Sequence, residues 1–159
     1  MSLSRKIVAA AESAAGATAP PPAVAAEGAH TLTLDLETAS PVGVSCRTLA
    51  FRAAREAPLP LDALRAWGDR VAARVTYLME PLVPVEADAL ADELLLRSRQ
   101  PGRRPGRRVY YEARLHAAGT LTLSRVQFDE TTRQRQPLPC QFTLETLERL
   151  ADDLVATAP

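Results

Sequence analysis

Hydrophobic positions along this chain switch between two periods. Leu32, Leu34 and Leu36 alternate with Thr31, Thr33, Asp35 and Glu37, a period of two that predicts a half-buried strand. Ser40-Pro41-Val42-Gly43 then supplies a turn, because proline presets the second turn position and glycine closes it. Residues 44–52 return as a second strand, which makes a hairpin. Pro58 and Pro60 end it. From Leu61 the spacing changes to three and four, through Leu64, Trp67, Val71, Val75 and Leu78, and draws one apolar stripe on a helix. Asp62 suits the positive N-terminal end of that helix. Gly68 is its weak point, at about 1 kcal/mol relative to alanine.

Pro81 and Pro84 limit residues 82–86 to a short edge strand, and Leu90, Leu94 and Leu96 place another strand over 90–98. Val109, Tyr111, Ala113 and Leu115 alternate with Tyr110, Glu112, Arg114 and His116 in the clearest strand of the chain. After Ala117-Ala118-Gly119 a further strand covers 120–128. Its apolar phase slips, since Leu121 and Leu123 share one face and Val126 and Phe128 the other, and a bulge near Arg125 would reconcile them. Residues 129–137 read as a polar loop. Thr143 is a good N-cap for a last helix whose stripe is Leu144, Leu147, Leu150 and Leu154.

Strands grouped into hairpins with two amphipathic helices predict an α+β fold: an antiparallel sheet of five to seven strands with both helices on one face, a two-layer sandwich. A second reading sees a duplicated hairpin-plus-helix unit. Leu61, Leu64, Trp67 and Val71 align with Leu144, Leu147, Leu150 and Leu154, and Leu-Thr-Leu recurs at 32–34 and 121–123. The bland account is that any two amphipathic helices align this well.

Composition changes the picture at the N-terminus. Residues 1–29 hold eleven alanines, the Pro20-Pro21-Pro22 run and no aromatic residue, so they read as a mostly flexible segment with a short helix near Ser4 to Ala15. The folded domain is then expected over 30–157. A total of 159 residues fits one domain, with no run approaching the ~20 apolar residues of a membrane span and no targeting signal, so a cytoplasmic protein without a membrane partner is expected.

Charge narrows the partners. Nineteen acidic and nineteen basic side chains leave the chain formally neutral, so any charge-driven partner must meet a local patch. The one strong patch is R-S-R-Q-P-G-R-R-P-G-R-R at 97–108. There Arg97, Arg99, Arg103, Arg104, Arg107 and Arg108 could track a phosphate backbone, with Tyr110 or Tyr111 offering a ring for stacking. Pro-Gly also starts turns, and the bases are eighteen arginines and one lysine in a chain rich in alanine and proline. The plainer reading is therefore a solvated connector.

The search for chemistry returns no catalytic, cofactor or metal motif. Seven scattered glycines and the single Lys6 build no phosphate loop, and two histidines with two distant cysteines build no zinc site. His116 and Glu112 share a strand face, but four residues at about 3.3 Å rise hold them about 13 Å apart. Cys46 and Cys140 read as buried small hydrophobes. Expected is a non-enzymatic module that binds a protein or itself through a sheet edge or the polar face displaying Tyr110, Glu112, Arg114 and His116. Weak nucleic-acid binding through 97–108 is the alternative, and an enzyme using His116 a more distant one.

Overall fold

The computed structural model describes residues 1–78, 80–99 and 102–159, with Gly102–Arg104 as backbone alone. Helix α1 (Leu3–Ser13) leads into strands β1 (Ala23–Glu27), β2 (His30–Ala39) and β3 (Gly43–Ala53), then helix α2 (Leu61–Arg74). Strands β4 (Leu82–Asp88), β5 (Glu93–Ser98), β6 (Gly102–Arg104), β7 (Arg107–His116) and β8 (Thr120–Asp129) follow. Short strands β9 (Arg135–Leu138) and β10 (Cys140–Thr143) precede helix α3 (Leu144–Thr157).

Among the described residues every strand pairing is antiparallel, within one sheet ordered β1-β2-β3-β8-β7-β5-β4. Strand β10 pairs with β3, β6 with β7, and β9 with β8. The fold is α+β as expected, but among the described residues the sheet is larger than five to seven strands and the helices number three. The difference arises from short strands of three to five residues, whose backbone hydrogen bonds recruit segments too short to show a period.

The helix stripes meet Tyr111, Ala113 and Leu115 of β7 and Leu121 and Leu123 of β8 in one core, with Leu32, Leu34, Leu49, Phe51, Leu115 and Leu121 at its centre. Gly68 of α2 lies against Leu94 and Leu96 of β5, so the helix approaches the sheet where a side chain is missing. Helix α3 opens on its expected cap, with Thr143 Oγ1 accepting the Thr146 N–H at 3.1 Å. At the far ends of the two helices Asp153, 7% exposed, accepts Tyr77 Oη at 2.6 Å and Arg74 Nε at 2.8 Å, tying α2 to α3.

Residues 1–29 carry the short helix expected near Ser4 to Ala15, as α1, and a strand, β1. Ser2 caps α1, which buries Leu3, Ile7 and Ala11, and β1 pairs along β2 from Ala23↔Leu34 to Glu27↔His30. Alanine has little apolar area, but it is the best helix former and lets a helix pack closely. Two side chains, Leu3 and Ile7, supply most of the burial.

The matching stripes of α2 and α3 are real: Leu64, Trp67 and Val71 are buried, and so are Leu147, Leu150 and Leu154. The strands before them are connected differently, since β3 leads to α2 whereas β9 and β10 intervene before α3.

Candidate functional site

The even-numbered residues of β7 face away from the core. The register sets Tyr110 beside Val126, Glu112 between Arg97 of β5 and Ser124 of β8, Arg114 between Leu95 and Thr122, and His116 between Glu93 and Thr120. No register shift interrupts β7 and β8, so the expected bulge at Arg125 is absent from this pairing. The slip in apolar phase has another cause. At this end of the sheet both faces carry apolar groups, and Leu95, Tyr110 and Val126 are buried outside the main core cluster.

Tyr110 and Glu112 are therefore not exposed, at 6% and 2%, which corrects the expectation of an open polar face over all four residues. Arg114 is exposed and His116 half-buried. What covers the other two is arginine. Glu112 Oε1 accepts from Arg97 Nε at 3.1 Å and Nη2 at 2.9 Å, and from Arg135 Nη2 at 2.6 Å. Three donors on one oxygen satisfy a buried carboxylate and fix two guanidinium planes, one from β5 and one from β9. The Arg97 guanidinium lies 5.0 Å over the Tyr110 ring, and Arg108 and Arg133 lie 5.9 and 5.8 Å from Phe128. In each case the guanidinium carbon itself stands over the ring, a cation–π geometry.

Between these groups lies a cleft of about 310 Å³, lined by Arg97, Ser98, Arg108, Tyr110, Phe128 and Arg135. Three guanidiniums front it, against Glu112 and against Glu130, which accepts Arg108 Nε at 2.8 Å. The cleft offers planar, bidentate donors beside apolar ring edges, which suits a carboxylate or phosphate carried on a flexible chain.

Of the six arginines singled out from 97–108, Arg97 and Arg108 line this cleft. Arg99 and Arg107 are exposed. Arg103 and Arg104 pair through their backbone with Arg108 and Arg107, and their side chains fall outside the described residues, as do Gln100 and Pro101 of the same segment. The segment is thus in large part a strand and a hairpin rather than a connector alone. His116 Nδ1 accepts the Ala118 N–H at 2.9 Å, a turn-closing contact, and Glu112 is engaged elsewhere, so the two are not brought together as an acid–base pair.

Arg133 and Arg135 escaped the sequence reading because 129–137 shows no long period, whereas Val126 and Phe128 were already assigned to the second face of their strand. The available signal was the phase slip in β8, the strand on which β9 pairs. Among the described residues no three His, Cys, Asp or Glu side chains cluster for a metal, and no helix is long and apolar enough to cross a membrane. Comparison with family models, with curated proteins and with solved structures finds no match for the chain.

Proposed function

We propose that this protein is a non-enzymatic module that binds another protein through the outer face of its sheet, with the arginine cleft receiving an acidic side chain of the partner. In this reading the three helices form a layer on one face and leave the other for contact. The observation that carries it is the pair of guanidiniums held on buried Glu112, because positioned guanidiniums bind a carboxylate with little further ordering cost.

Two comparisons favour the face over the alternatives. Both terminal strands of the sheet are blunted: β4 contains Pro84, a register shift, Glu86 and Asp88, and in β1 the Ala26 carbonyl accepts Lys6 Nζ at 2.9 Å. Such edges discourage strand addition. The outer face, by contrast, presents half-buried Thr122, Ala50 and Thr33 in one register row beside Arg114. Against nucleic acid, the ring faces of Tyr110 and Phe128 that would stack on bases are already covered by arginines of the chain itself.

The test is a titration of the full chain with a fluorescent glutamate-rich peptide and, separately, with a single-stranded oligonucleotide of equal charge. The peptide should bind in a salt-sensitive way, and Arg108→Gln with Arg135→Gln should weaken it about 10-fold or more, the scale of one charge-assisted hydrogen bond. Equal affinity of variant and wild type, or tighter binding of the oligonucleotide, would show the reading to be wrong.

A further inference from the structure

Cys46 and Cys140 stand 94 positions apart, yet the register of β10 on β3 sets them directly opposite each other. Directly opposed residues of antiparallel strands have Cα atoms about 4.5–5.5 Å apart, inside the range a disulfide spans. Both residues are fully buried and both thiols are free. Their side chains interact with each other as a pair of thiols.

Their surroundings differ in charge. The shared hydrogen bond, then burial, then the negative charge of Cys140, Asp35 and Glu37 push the Cys46 thiol up. The same bond holds Cys140 below the ordinary thiol range, and the Arg125 guanidinium adds to this against the effect of burial. Arg125 also lies 5.9 Å from the Tyr111 ring, which stacks on Phe142 at 6.4 Å, and its Nε is buried with no hydrogen-bond partner among the described residues. A guanidinium that favours the thiolate of Cys140, against carboxylates that disfavour that of Cys46, is the asymmetry that separates an attacking thiol from a resolving one.

We propose that Cys46 and Cys140 are an oxidation site, converted by a small peroxide into a reversible disulfide that ties β10, and with it the start of α3, to β3. The Cys140 sulfur, giving up its proton, attacks one peroxide oxygen, the O–O bond breaks, and the leaving hydroxide takes that proton to become water, which makes Cys140 a sulfenic acid. The Cys46 sulfur, giving up its proton, then attacks the Cys140 sulfur. The S–O bond breaks and the hydroxide leaves with that proton as a second water, so two thiols supply the two electrons that reduce one peroxide. Full burial of both sulfurs selects a small neutral oxidant and disfavours bulky disulfides, which supplies a control.

The experiment treats the full folded chain with hydrogen peroxide or, separately, with glutathione disulfide, followed by intact mass and non-reducing peptide mapping. Peroxide should remove two hydrogen atoms from the mass, link the Cys46 and Cys140 peptides, and raise Tm by roughly 10 °C for a loop this long. Dithiothreitol should reverse all three, and glutathione disulfide should act at least about 10-fold more slowly. In Cys46→Ser a dimedone-reactive sulfenic acid should persist on Cys140, and in Cys140→Ser peroxide consumption should drop about 10-fold. Wild-type chain that keeps both thiols free under peroxide, forms only intermolecular disulfides, or reacts equally fast with both oxidants overturns the proposal. Equal peroxide reactivity of the two serine variants overturns the assigned roles.

Discussion

Replacing Gly68 with alanine sets two opposed effects against each other. Within α2 the change removes a glycine from a helix interior and should stabilise by about 1 kcal/mol. Across the interface the new Cβ would collide with Leu94 Cδ2, with Leu94 Cγ and Leu96 Cδ2 each 3.6 Å away. Leu94 and Leu96 are 3% and 0% exposed, so the displaced methyl has no solvent to enter. Overpacking of this kind costs about 1–3 kcal/mol, and the flexible end of a leucine places it toward the lower half. The clash should win, leaving Gly68→Ala less stable by about 0–1 kcal/mol. Removing the obstacle reverses the sign. Leu94→Ala alone should cost about 2–5 kcal/mol, but in that background Gly68→Ala should stabilise by about 1 kcal/mol, since the helix gain persists and the methyl enters vacated space. Urea unfolding of all four proteins at constant m-value closes the cycle. An effect of Gly68→Ala that is the same in both backgrounds within about 0.5 kcal/mol would refute the close approach of α2 to β5.

Three further expectations rest on named contacts. Glu112→Gln weakens the tie on Arg97 and Arg135, which are 33% and 45% exposed and regain water, so the loss should be about 1–3 kcal/mol rather than that of a fully buried pair. The same variant should elute later from a polyanion column, and unchanged elution would mean the arginines do not front an open cleft. Tyr77→Phe removes the hydroxyl that donates to Asp153 and should cost about 1 kcal/mol by urea unfolding, with Arg74 still holding the carboxylate; a neutral result would show that α2 and α3 are not tied there. Asp129 is held below the usual carboxylate range by the backbone N–H groups of Thr132 and then Thr131. Its contribution is present above the unfolded value of about 3.9 and lost as pH falls through the lower folded value, so Asp129→Ala should flatten the acid limb of stability against pH.

Periods of two and 3.6 were legible wherever an element buries one face against the core. Hence β2, β3, β7, α2 and α3 could be read from Leu32 to Leu36, from Leu61 to Val71, and from Thr143 onward. The short strands could not be read that way. Strands β1, β9 and β10 hold four or five residues, too few to show alternation, and they exist because a neighbouring strand offers unpaired backbone groups. Arg97 and Arg108 were visible within the run at 97–108, but Arg135 was not, since nothing local distinguishes it from a solvated loop residue.

The chain by itself determined which residues face the core, because burying apolar area imposes a local period that survives without knowledge of neighbours. It also determined α3's start, a contact between residues three apart. Tertiary structure alone decided the rest. Glu112 became buried because β5 and β9 bring guanidiniums from 15 residues before it and 23 after it onto one oxygen. Cys46 came to face Cys140 because β10 pairs with β3 across most of the chain. Both juxtapositions depend on strand order and register, which are set by the summed packing of the whole sheet and leave no trace in the spacing of nearby residues.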